Sequence, residues 1–266
     1  MSAAVDCHYG DDGEGPCVIF VHGIGSSLNA WDGIIPTLLP SFRCVRMDLR
    51  GHARSPRPPL PYSLEALASD VERVRERVGA ERTFVVGHSL GGMIGPAYAR
   101  RYPERVLGLG LLSTAAGRTP EDSAKVKSVV AATRAKGVAA MMDAFIERWF
   151  TAEFGTAHPE VIEARKAALL ANDPEVFLEV FRIYAETEMA PWLNEIEAPA
   201  LVLTGEHDGG CPPRLNAFIA GELQRAELVI LEGLKHSILL EAPDRVAAPL
   251  LAFLDRHADG KSEAGA

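Results

Sequence analysis

Three side chains far apart in the sequence, Ser89, Asp208 and His236, have the types that nucleophilic hydrolysis needs. Ser89 sits in Gly87-His88-Ser89-Leu90-Gly91, a G-x-S-x-G pattern between a short apolar run and a helical pattern. On a sharp strand-to-helix turn, a serine hydroxyl is pushed out at the end of a sheet. Its neighbours two positions away are pressed close, which leaves Gly87 and Gly91 no room for a side chain. The helix that follows aims its N-terminus at negative charge forming there. Alone, the pattern would occur in about one random chain in ten of this length, so its weight comes from its surroundings. Asp208 follows the apolar run 200–204 through Gly205-Glu206-His207, and His236 follows the run ending at Leu231. A serine hydroxyl is a poor nucleophile until a histidine takes its proton, and a carboxylate holds that imidazole in the useful tautomer. His22-Gly23-Ile24-Gly25-Ser26-Ser27 follows an early apolar run. It suits a loop whose backbone N–H, at Ile24, joins that of Leu90 in an oxyanion hole.

Each of these residues has a plainer reading. Ser89 is also a candidate helix N-cap, which the flanking glycines and partner segments argue against. Glu206 rivals Asp208 from the same loop. Asp48 suits pinning its own turn, and His22 precedes the oxyanion loop rather than facing the serine. His88 neighbours the nucleophile with its side chain expected to point away. The eight histidines form no H-x-x-x-H or H-x-H cluster, and no G-x-G-x-x-G follows a strand. No metal site and no cofactor is therefore expected.

The elements that must position these groups follow from hydrophobic periodicity. Cys17–Val21, Arg43–Met47, Phe84–Val86, Leu107–Leu112, Ala200–Thr204 and Leu228–Leu231 read as strands, the first of them buried. Ser63–Val78 reads as a helix capped by Ser63, with Leu64, Leu67, Val71, Val74 and Val78 at three- and four-residue spacing. Strands alternating with helices imply a mostly parallel sheet covered on both faces. From about Ala116 to Glu195 only helices are expected, most clearly Val138–Phe150, Pro159–Ala171 and Pro174–Glu186. A last helix starts at Pro243. Residues 1–115 and 196–266 thus form an α/β core, and 116–195 a helical lid over the strand ends. The small, polar tail from Asp259 to Ala266 reads as disordered.

With 27 Lys and Arg against 36 Asp and Glu, the net charge is −9. That argues against nucleic acid and against an anionic membrane surface. The start carries no signal-peptide pattern, and no run of about 18 apolar residues suggests a membrane span. Cysteines 7, 17, 44 and 211 match neither a zinc nor a CxxC spacing and read as reduced, buried thiols of a cytoplasmic protein. The expected partner is a small-molecule substrate, with room left for a homo-oligomer. If that substrate is anionic, an arginine beneath the lid must supply the local cation, with Arg148 first and Arg118 second.

The chain resembles the α/β-hydrolase superfamily from about Cys17 to His257. The matching segments are HGIGSS (22–27), DLRGHARS (48–55), GHSLGG (87–92), GEHD (205–208) and LKHSILLEAP (234–243). LLSTAAGR (111–118) and DAFIERWFTAEF (143–154) are similar to the 3-oxoadipate enol-lactonase and carbon–carbon bond hydrolase group. Ala53 departs from the pattern, since relatives usually carry glycine there. The resemblance implies the α/β-hydrolase fold, a Ser89–His236–Asp208 triad and a pocket lined by Trp149. It also argues against dehalogenases and epoxide hydrolases, which carry aspartate at the nucleophile position. Three activities are left open: ester or lactone cleavage, with an enol-lactone of a small acid foremost; cleavage of a β-diketone or dienone acid; and a ligand receptor that keeps the triad.

Overall fold

The computed structural model describes residues 3–258, so the tail expected to be disordered lies outside the described residues. Seven strands form one sheet: β1 (Tyr9–Asp12), β2 (Cys17–Val21), β3 (Arg43–Met47), β4 (Thr83–His88), β5 (Val106–Leu112), β6 (Ala200–Gly205) and β7 (Ala226–Leu231). Their spatial order is β1-β3-β2-β4-β5-β6-β7. β1 runs antiparallel to β3, and the other neighbours pair in parallel. This is the mostly parallel sheet of the α/β-hydrolase fold.

Strand side chains alternate between the two faces, as a pleated strand requires. Ile19, Val21, Val45 and Val85 join one apolar cluster; Val18, Phe20, Cys44 and Val86 join the other. Helices α2 (Leu64–Arg77) and α3 (Gly91–Arg101) cover the first face through Leu67, Val71, Ile94 and Tyr98. Helices α1 (Ile35–Leu38) and α11 (Pro243–His257) cover the second through Leu38, Val246, Leu250 and Phe253. Both faces of the central strands are therefore dry, and each fully buried aromatic such as Phe20 contributes about 1.5–3 kcal/mol of transfer free energy.

Between β5 and β6 the chain makes helices only: α4 (Pro120–Lys136), α5 (Met142–Trp149), α6 (Ala152–Ala157), α7 (Pro159–Leu170) and α8 (Pro174–Glu186). Helix α9 (Pro213–Glu222) links β6 to β7, and the short α10 (Ile238–Glu241) precedes α11. Among the described residues no helix is long and apolar enough to cross a membrane.

Two elements differ from expectation. β1 was not foreseen, because Tyr-Gly-Asp-Asp has no apolar alternation; it is held at the sheet edge by ion pairs from Arg43 to Asp11 and Arg46 to Asp12. α4, in the stretch expected to be helical, has no continuous apolar stripe, yet a full capping box between Thr119 and Asp122 starts it. The single helix expected over Val138–Phe150 is instead a 3₁₀ turn, Ala139–Met141, followed by α5, and Phe150 is already extended.

The parallel registers align the strand ends. Val21 pairs with Gly87, His88 with Leu112, Leu112 with Leu203, and Gly205 with Leu231. The chain leaves β2 toward β3 on one side and β4 toward β5 on the other. The loops after β2 and β4 therefore flank the crevice where an open parallel sheet binds ligands.

Candidate active site

Ser89 stands between β4 and α3 with φ of 57°, in the left-handed region that costs a non-glycine residue roughly 1–2 kcal/mol. Its own N–H donates to Leu112 O at 2.8 Å, which ties the turn to β5. A Cβ on Gly87 would lie 2.0 Å from Gly91 O, and one on Gly91 2.0 Å from Val21 O. Only glycine fits at either place, which is the close approach expected from the motif. Leu90 follows as the N-cap of α3.

Asp208 and His236 meet at hydrogen-bond distance. His236 Nδ1 lies 2.7 Å from Asp208 Oδ2, and Asp208 is almost fully buried. The other carboxylate oxygen accepts the N–H groups of Gly210 and Cys211, both at 2.8 Å. Burial opposes the Asp208 charge, but the adjacent imidazole and these donors hold its carboxyl below the usual carboxylate range. Burial likewise opposes an imidazolium at His236, and the Asp208 carboxylate overcomes it, raising the affinity of that ring for a proton. Glu206, the rival acid, is exposed and accepts the Gly233 N–H instead.

Ser89 and His236 line one cavity of about 120 Å³. Its wall on the side of the helical insertion is aromatic, with Phe145 stacked on Trp149 at a centroid distance of 5.2 Å and Phe177 and Phe181 beyond. Trp149 therefore faces the cavity, and its backbone carbonyl accepts the N–H of Ser237, the residue after His236. Ile24 lines the cavity from the loop after β2. With a serine, an imidazole oriented by a carboxylate, and the backbone of Ile24 and Leu90 beside them, such a site can deprotonate a hydroxyl and stabilise a tetrahedral oxyanion.

Two histidines shape the loop after β2. His22 is fully buried, its Nε2 accepts the Leu49 N–H at 3.0 Å, and its Nδ1 therefore carries the hydrogen that Gly23 O accepts at 2.7 Å. Burial lowers its pKa well below that of a free histidine. His52 works the same way: its Nδ1 donates to Arg50 O at 3.2 Å while its Nε2 faces the Gly25 N–H at 3.4 Å. Burial brings it down to about 4. Two neutral rings thus link the 48–55 loop to Gly23 and Gly25. Asp48 pins its neighbourhood as expected, with its oxygens facing the N–H groups of Leu28 and Arg54. Ala53 takes φ of 42°, a conformation that suits glycine. His52 lies in the matching segment DLRGHARS, but 37 positions from Ser89 its spacing carries no sign of the part it plays.

His88 departs from expectation. Rather than only pointing away, it lines the cavity, and its Nε2 donates to the backbone carbonyl of His236 at 3.0 Å. Burial, with His236 beside it, brings its pKa down to about 3, so it stays a neutral donor.

The two arginines singled out by sequence part company. Arg148 lines the cavity but is exposed and gives an Nη2 hydrogen to Gly209 O. Arg118, ranked second, is not among the lining residues. Its guanidinium lies over the Tyr184 ring at 4.4 Å and donates to Tyr184 O and Thr187 O, which commits it to the base of α8. The lining arginine that sequence missed is Arg165 on α7; a lone arginine in a helical run gives no signal of what it faces.

All four cysteines are free and buried, and burial pushes the Cys7 and Cys44 thiols up to about 12. Cys211 was foreseen only as packing, yet its Sγ lies 3.1 Å from the Tyr184 hydroxyl and shares a 4.8 Å cluster with ligand atoms of Asp208 and His236. That trio has metal-ligand chemistry. A metal there would have to displace the proton between Asp208 and His236, so the group fits a hydrogen-bonded pair better than a metal centre.

Comparison with known proteins agrees with this architecture. Residues 16–161 match the family model described as alpha/beta hydrolase fold. Over 243 residues the chain is 27% identical to 3-oxoadipate enol-lactonase 2 of Acinetobacter baylyi, covering 91% of this chain and 89% of that one. The enol-lactonase structure from Burkholderia xenovorans LB400 superposes with a TM-score of 0.87 at 29% identity, covering 95% and 99% of the two chains. A malate-bound structure of a thermophilic esterase from Thermogutta terrifontis gives 0.86 at 28% identity, covering 95% and 94%. The chain belongs to the alpha/beta hydrolase fold family and is a hydrolase.

Proposed function

We propose that this hydrolase cleaves a carboxylic ester or lactone through an acyl-enzyme on Ser89. His236 takes the proton of the Ser89 hydroxyl as it attacks the carbonyl carbon. The oxyanion that forms is held by the N–H groups of Ile24 and Leu90. His236 then returns the proton to the leaving oxygen, and water attacks the acyl-enzyme by the same route in reverse. Asp208 keeps the hydrogen on Nδ1, so Nε2 is the basic nitrogen, and stabilises the imidazolium. These steps use only groups of this chain and call for no cofactor.

The observation that carries the reading is the 2.7 Å contact between His236 and Asp208 directly behind a cavity into which a serine with φ of 57° opens. For the substrate, the best-supported class is an enol-lactone of a small carboxylic acid. Two of the similar proteins are named as enol-lactonases, and a third, an esterase, holds malate.

The test is product analysis with purified protein on a panel of lactones, aryl esters and dienone acids, run beside Ser89→Ala. Turnover of lactones or esters to hydroxy acids or alcohols, lost in the variant, supports the proposal. Multiple turnover confined to carbon–carbon bond cleavage would replace it with the diketone reading. A single slow turnover followed by a stall would replace it with the receptor reading.

A further inference from the structure

The cavity has a charge imbalance that the reaction itself does not require. The protein carries a net charge of −9, yet the residues lining this cavity include Arg148 and Arg165 and neither aspartate nor glutamate. The two arginines are not equivalent. Arg148 is exposed at the rim, where water screens its charge. Arg165 projects from α7 under the helical insertion. Its Nη1 donates to Gly25 O at 2.6 Å and its Nη2 approaches Ile24 O at 3.4 Å. Its guanidinium lies 4.9 Å from the centroid of the Trp149 ring. Among the described residues no carboxylate lies within ion-pair distance of it. Burial lowers its pKa to about 10, with no opposing carboxylate to restore it.

A guanidinium has five N–H donors in a planar fork. Carbonyl oxygens and a ring face solvate such a group without cancelling its charge. A half-buried cation without a carboxylate partner is costly, and a structural prop for two carbonyls does not need one. Placed in the wall that also holds Ser89 and His236, it is complementary to an anion that arrives with the substrate.

We infer that Arg165 is the specificity-determining residue of this site, binding a carboxylate carried by the acyl part of the substrate. The inference rests on the proposed ester or lactone chemistry at Ser89 and adds the charge of the substrate and the residue that reads it. Because the same guanidinium holds Gly25 O, a bound carboxylate would sit next to the loop that supplies the Ile24 N–H. Recognition of the acid and assembly of the oxyanion hole would then share one side chain.

A matched pair of probes tests this: the mono-4-nitrophenyl ester of adipic acid, which has a free carboxylate, and its methyl ester, which is neutral. Wild-type protein should show kcat/KM at least tenfold higher for the half-acid, and sodium adipate should inhibit competitively. Arg165→Met should raise KM for the half-acid by ten- to a hundredfold more than for the diester, the range of one charge-assisted pair. Arg165→Lys, which keeps the charge without the fork, should recover part of the difference. Arg148→Met should change the ratio between the two probes by less than threefold.

Equal losses on both probes in Arg165→Met would make Arg165 a prop for the loop and overturn the inference. So would a wild-type enzyme indifferent to the free carboxylate, which can be read even if the methionine variant fails to fold. In either case, hydrolysis that disappears in Ser89→Ala would leave the proposed chemistry standing. Hydrolysis that survives in Ser89→Ala would strike that chemistry and leave the probe ratio to be judged separately.

Discussion

Two arginines with contrasting partners, one fully buried and one half-buried, mark two differently built regions of this molecule. Arg50, beneath the loop that follows β3, is fully buried against an equally buried Asp70, with Nε to Oδ2 at 2.6 Å and Nη2 to Oδ1 at 2.7 Å. Arg165, under the helical insertion, has carbonyls and an indole ring for company. The first region satisfies its charges internally, because its task is to hold His52, and through it the loop after β2, in one place. The second leaves a charge open, which is the arrangement the inferred carboxylate site requires. The difference separates reaction from selection. Changes around the strand ends should act on kcat or on folding, and changes on the lining of the insertion should act on which substrate is taken.

The sharpest way to break this division is at the acid. Asp208→Asn keeps the shape of the side chain but removes the charge behind His236. We expect kcat to fall by roughly 10³–10⁴-fold, as is typical when the orienting carboxylate of such a site is neutralised. The pH profile supplies the sign. Asp208 raises the affinity of His236 for its proton, and the general base must be neutral. The rising limb of kcat/KM should therefore move to lower pH in the variant, even as the plateau drops. Glu206→Gln should change kcat less than about threefold, since an amide oxygen still accepts the Gly233 N–H. Steady-state kinetics across pH for both variants decides the matter, and the reverse ranking would reassign the acid.

Next in size is the buried pair. Asp70→Asn should leave the Arg50 charge uncompensated and cost about 3–5 kcal/mol of stability. Urea unfolding measures it. A loss under about 1 kcal/mol would mean that the region tolerates an open charge as readily as the cavity wall does, and the contrast between the arginines would fail.

The smallest effect concerns Ala53. Its φ of 42° is strained for any residue with a Cβ, and the side chain is exposed. Ala53→Gly should relieve that strain, offset in part by the freer unfolded chain, for a net gain below about 1 kcal/mol with kcat unchanged. Thermal unfolding read beside activity would show it. A fall in kcat would mean that the turn positions His52 more tightly than the geometry indicates.

Which parts of this were legible in sequence has a physical pattern. β2, β4, β5 and β6 were readable because both faces are buried, so they are nearly continuous apolar runs, and β3 and the largely exposed edge strand β7 by the apolar residues they keep; β1, an edge strand held by Arg–Asp pairs, leaves no such trace. Gly87 and Gly91 could be assigned their packing role because a sharp turn admits no substitute. Asp208 and His236 could be named from their place after strands. Arg165 and His52 could not, because what distinguishes them is what they face after folding, and α7 and the 48–55 loop carry no periodicity that reveals it. Arg118 misled for the same reason: an arginine near the end of β5 is as able to stack on Tyr184 as to enter the cavity.

An acyl-enzyme on Ser89 is the step on which the proposed mechanism turns, and mass spectrometry of the protein quenched with acid during turnover of the adipate half-ester reads it. One added adipoyl group per chain is expected, located by peptide mapping on the segment containing Ser89, and absent in Ser89→Ala. An acyl group on any other residue, or turnover with no adduct even when Asp208→Asn slows its breakdown, would contradict it.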